Sequence, residues 1–112
     1  MKAFFNIVCS HESQIRVENE IKLFIISSDT ELVNMDKMKY WKDDRCAQFL
    51  VEFSSVNGDY KKILKAIKQI WTKKDIHYNE SSEFIELVVY SSILDILQKD
   101  EMFISLFLYK NN

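Results

Sequence analysis

At 112 residues, 47% of them apolar and with a formal net charge of −2, the chain has material for one domain around one core and too little for two. It contains no proline and a single glycine, which argues against disordered, linker-rich and loop-rich disulfide architectures and leaves no room for a glycine-rich phosphate loop. No apolar run approaches membrane-spanning length, and residues 1–9 are too short, and too interrupted by Asn6, to act as an export signal, so a cytoplasmic domain over residues 1–112 is expected.

Residues 2–9 set Ala3, Phe5, Ile7 and Cys9 on one side and Phe4, Asn6 and Val8 on the other, which predicts a largely buried strand. Ser10 or Ser13 stands where a helix cap belongs. Val17, Ile21, Phe24, Ile25 and Ser28 then recur at helical spacing and predict a helix ending near Ser27-Ser28-Asp29. Ile15, Val17, Ile21, Leu23 and Ile25 also fit the alternation of strands, and length favours the helix. A polar connection through Asp36 leads to a strand-like run at 38–42, an acidic turn at Asp43-Asp44 and a strand over 46–53, together a hairpin.

Asn57-Gly58-Asp59 reads as the exit from that strand, with Gly58 supplying positive φ and Asp59 accepting from the first free N–H groups of a helix. In the helix predicted from Tyr60 to Trp71, Tyr60, Ile63, Leu64, Ile67, Ile70 and Trp71 form an apolar stripe, with Lys61, Lys62, Lys65, Lys68, Gln69 and Lys73 opposite. A polar patch at 79–82 precedes a strand over 84–90, a short helix over 93–98 and an apolar strand over 102–109. This order predicts an α+β fold, a ferredoxin-like sandwich whose antiparallel sheet of about four to five strands carries two main helices on one face.

Six lysines lie between Asp59 and Asp75, so the rest of the chain is net acidic and suits a basic partner better than nucleic acid. Cys9 and Cys46 sit among apolar neighbours without C-x-x-C spacing and read as reduced core thiols. His11 and His77 stand alone, so no metal site, cofactor or catalytic group is expected. The strand order is also that of the RNA recognition motif. Aligning Val51-Glu52-Phe53 with the end of that motif puts Gln48 and Leu50 where stacking aromatics belong and turns Val51 and Phe53 toward the core.

The acid-rich body, the proline- and glycine-poor composition leaning to Lys, Ile and Asn, and the compact α+β pattern together resemble the immunity proteins of contact-dependent growth inhibition and related polymorphic toxin systems. The resemblance implies a non-enzymatic cytoplasmic protein that binds a cognate toxin domain, often a nuclease, and blocks its active site or substrate surface. On that reading Asp43, Asp44, Glu80 and Glu83 are candidate contacts for a basic groove, with Tyr40 and Trp41 as candidate anchors. Solvated turns are the ordinary explanation of those acids, and burial in the sheet that of Trp41 and Trp71. An RNA-binding or small-ligand regulatory domain of the same fold is the alternative.

Overall fold

The structure, a computed structural model, describes residues 2–55, 60–71 and 76–110, so the expected exit turn at Asn57-Gly58-Asp59 lies outside the described residues. Its elements are β1 (Lys2–Ser10), a 3-10 turn (His11–Ser13), α1 (Gln14–Ser27), β2 (Glu31–Lys39), β3 (Cys46–Ser54), α2 (Tyr60–Ile70), β4 (Ile76–Glu80), β5 (Phe84–Val89), α3 (Ile93–Lys99) and β6 (Phe103–Tyr109). The strands form one six-stranded sheet in the order β2-β3-β1-β6-β5-β4, with every neighbouring pair antiparallel.

The fold is α+β, but among the described residues the sheet has six strands rather than four to five, and there are three α-helices. Two segments read as polar connections are strands. β2 begins at Glu31, and β4 occupies the stretch before and within the polar patch. Both are edge strands with exposed side chains, so neither needed the apolar content that marks a buried strand. The strand beside β1 on the side away from β3 is the C-terminal β6, and the β4–β5 hairpin extends the sheet beyond it.

The alternation in β1 decides how the layers form. Ala3, Phe5, Ile7 and Cys9 are buried under α1 and α2, and register places Phe53, Val51, Phe49 and Ala47 of β3 beside them. Leu108, Leu106 and Ile104 of β6 complete that side. At its centre, the Phe5 ring lies 4.8 Å from Phe24 of α1, 5.2 Å from Phe53 and 5.7 Å from Trp71, centroid to centroid. Trp71 is buried, and its indole N–H donates to Glu20 Oε2 at 2.6 Å, so the polar edge of the ring is satisfied where α2 meets α1.

α1 resolves the double periodicity of its sequence. Val17, Ile21 and Phe24 are buried, while Ile15, Leu23 and Ile26 face outward at 77, 52 and 77% exposure. The helix stops where Ser28 N–H returns to Phe24 O at 2.9 Å and Asp29 enters the left-handed region at φ 55°. Ser13 occupies the N-cap position without capping. Its hydroxyl instead donates to Asp100 Oδ1 at 2.5 Å, tying the start of α1 to the end of α3.

α3 lies against the other face of the sheet, where Ile96 packs on Val8 and Cys46. Ser92 caps it by accepting from Asp95 N–H at 3.1 Å. The helix covers only one end of that face. The edge strand β2 carries a bulge between Leu32 and Asn34 and exposed Lys37 and Lys39, devices that discourage pairing with another edge.

Phe24→Ala removes a ring shared by both helices and the sheet and is expected to destabilise the protein by about 3–5 kcal/mol, whereas Ile15→Ala should stay within about 0.5 kcal/mol. Urea denaturation followed by tryptophan fluorescence distinguishes the two. Cys9 and Cys46 are both free and buried, and burial pushes the Cys9 thiol up to about 11 and raises Cys46 as well. Both thiols should therefore be protonated at pH 7 and react with a disulfide reagent only as fast as the protein opens.

Candidate functional site

Because α1 and α2 take one side of the sheet and α3 covers only one end of the other, the side chains of opposite parity line a second, largely uncovered face. Register arranges them in rows across the strands. One row runs Asn34, Glu52, Phe4, Phe107, Glu86 and Asn79. The next runs Asp36, Leu50, Asn6, Ser105, Val88 and His77, and a third brings Lys2, Tyr109 and Phe84 together.

Four aromatic rings make a continuous strip on this face. Phe4 meets Tyr109 edge-on at 6.4 Å, Tyr109 meets Phe107 at 4.8 Å, and Phe107 stacks on Phe84 at 4.9 Å. Phe4 is 41% exposed, Tyr109 46% and Leu50 39%. Beside the strip, a groove of about 400 Å³ is bounded by Phe4, Phe107, Leu50, Asn6, Asp36 and Glu52, among others. Gln48 closes the face toward α3 by donating from Nε2 to Asn6 Oδ1 at 2.8 Å.

Charge is unevenly divided. Glu31, Asp36, Glu52 and Glu86 belong to the open face by register, against Lys2. The exposed Lys61, Lys65 and Lys68 of α2 lie on the opposite side of the molecule. The open face of the sheet is thus acidic and aromatic, and the outer surface of α2 basic.

The residues singled out from sequence do not form one site. Tyr40, Trp41, Asp43 and Asp44 occupy the β2–β3 turn, at the end of the sheet where β1 finishes. Glu80 and Glu83 lie at the β4–β5 turn, at the other edge of the sheet and the end where β1 begins. The two acidic groups therefore stand at diagonally opposite corners, because the β2–β3 hairpin flanks β1 on one side and the β4–β5 hairpin lies beyond β6 on the other.

Their local chemistry also differs from that of free contact groups. The Arg45 side chain, with its backbone N–H, holds Asp43 down at about 2; Nη2 lies 2.7 Å from Oδ2 and the backbone N–H donates to Oδ1 at 3.0 Å. Lys110, 2.5 Å away, and then the Tyr78 hydroxyl lower the Glu80 carboxyl, while Tyr78 is raised to about 12. Asp44 and Glu83 are exposed. Tyr40 is half-buried beside the α3 cluster. Trp41 is 78% exposed, with Lys42 Nζ 5.0 Å above its ring, so the burial expected for it does not occur.

The alignment with the RNA-binding motif places Val51 and Phe53 in the core and Gln48 and Leu50 on the open face, as expected. Phe107, Tyr109, Asp36 and Glu52 escaped the sequence reading. A signal was present in β6, where Phe103, Phe107 and Tyr109 share one parity and Ile104, Leu106 and Leu108 the other. Among the described residues, no three or more His, Cys, Asp or Glu are grouped to hold a metal. No described helix is long and apolar enough to cross a membrane. No family model matches the chain, and no curated protein matches it.

Asp43 supplies a check on the turn. Its pKa is depressed, so its contribution is present above the ordinary carboxylate range and is lost as pH falls toward about 2. Carboxyl NMR should show Asp43 still ionised at pH 3.5, and Arg45→Ala should bring its titration back toward about 4.

Proposed function

We propose that this chain is a protein inhibitor of the immunity type, which captures a basic surface of a cognate toxin domain on the open face of its sheet. The observation that carries the reading is the coincidence there of a strip of aromatic rings, Phe4 and Tyr109 exposed and Phe84 and Phe107 half-buried, with an excess of carboxylates. Aromatic side chains supply large contact area at small conformational cost, and carboxylates around them attract a groove built to hold phosphates. A nuclease toxin presents such a groove. In this reading the strands β2-β3-β1-β6 with α1 and α2 are a ferredoxin-like unit, the β4–β5 hairpin widens its binding face, and the protein acts in the cytoplasm, where the toxin would reach its substrate.

An RNA-binding role has one observation in its favour, the exposed Phe4 and Tyr109 on a sheet face. Stacking on such rings is sequence-tolerant, but phosphates would have to approach Asp36, Glu52 and Glu86, which opposes the electrostatic attraction that dominates nucleic-acid affinity.

The test is co-expression and co-purification with the product of the reading frame immediately upstream, together with rescue of cells from that product. Phe4→Ala is expected to weaken the complex by about 2 kcal/mol, roughly thirtyfold, and Glu52→Lys to slow association most at low salt. Reversing Asp43 and Asp44 should leave affinity within a few-fold. The opposite pattern, with the turn reversals abolishing capture and the sheet-face variants silent, would move the interface to the hairpin tip.

A further inference from the structure

The groove between β2, β3 and β1 has a composition that selects its occupant. Asp36 and Glu52 are diagonal neighbours across β2 and β3, since Asn34 pairs with Glu52 and Asp36 with Leu50. Such diagonal neighbours stand about 7–8 Å apart, close enough for both to reach one polar group placed between them. Asn34 Nδ2 donates to Asp36 Oδ2 at 3.2 Å, which orients that carboxylate and leaves its other oxygen available. Phe4, Phe107 and Leu50 supply the apolar walls.

We infer that this groove receives an arginine side chain of the protein partner, its guanidinium lying against the Phe4 ring and donating to Asp36 and Glu52. The inference rests on the proposed protein-binding role of the open face. Two carboxylates disfavour an anionic or purely apolar occupant. A planar, weakly hydrated guanidinium satisfies both wall types at once, by stacking on an aromatic face and by presenting several N–H donors in a fork, which an ammonium does less well. The volume of about 400 Å³ lies at the lower end of the range for ligand sites, enough for one long side chain entering from outside.

The experiment is an NMR titration of the full chain with N-acetyl-arginine amide, with the neutral isostere N-acetyl-citrulline amide as the control. Saturating shifts at the Leu50 methyls and at the Phe4, Asn6 and Glu52 amides, absent with citrulline and weakened about threefold in Glu52→Gln or Asp36→Asn, support the pocket. Scattered or absent shifts, or an equal response to citrulline, overturn it. The outcome is separable from the inhibitor role: arginine binding without toxin capture removes only that role, and toxin capture without arginine binding removes only the pocket.

Discussion

The contact on which the rest of the molecule depends is the junction of Phe5, Phe24, Phe53 and Trp71. It joins the central strand, its neighbour β3, the middle of α1 and the residue directly after α2 through edge-on and stacked ring contacts of 4.8–5.9 Å. Rings of this size bury much of the apolar area that a chain of this length has available, so their position decides which side of the sheet the helices cover. Once α1 and α2 are committed to that side, the opposite side has, among the described residues, only α3, a helix of seven residues, to shield it. The open face is thus a consequence of where the core was built.

An uncovered sheet face is ordinarily polar, as alternation in an antiparallel sheet requires. Here it keeps Phe4, Phe107, Tyr109 and Phe84 in ring contact, and surrounds them with Glu31, Asp36, Glu52 and Glu86. Contiguous exposed apolar surface needs a reason in a folded protein, and a binding surface is the usual one. The acids add range and sign to that surface. Their attraction acts before contact, while the rings contribute only after water is expelled. The basic outer surface of α2 lies on the far side, so a partner approaching the sheet meets an excess of carboxylates, with Lys2 as the one lysine that strand register adds to that face among the described residues.

The candidate contacts chosen from sequence were selected for being acidic and near predicted turns, and that criterion finds charge without finding a surface. Asp43 is held by Arg45 and Glu80 by Lys110, while the two turns belong to opposite edges of the sheet. Glu52 and Asp36 looked unremarkable by the same criterion. One sits inside an apolar strand, and the other lies in a segment whose mixture of Asp, Lys and Met hid its extended conformation. They meet only because β2 and β3 pair in a register that sets Asn34 opposite Glu52.

What the sequence determined by itself is local: the two-residue alternation of β1, with Cys9 on its buried side, the helical stripe of Val17, Ile21 and Phe24 and the stripe of α2 follow from the period of apolar side chains, while Cys46 was read as buried from its apolar neighbours. Alignment with the RNA recognition motif assigned Val51 and Phe53 to the core, where they lie. Tertiary structure decided the rest. Edge strands β2 and β4 are stabilised by hydrogen bonds to a neighbour rather than by burial, so they leave little apolar signature, and which strand lies beside β1 depends on pairing between residues far apart in the chain. The aromatic and acidic face is the clearest case. Its rows are assembled from several strands, and no single segment carries enough of it to be recognised before the sheet is formed.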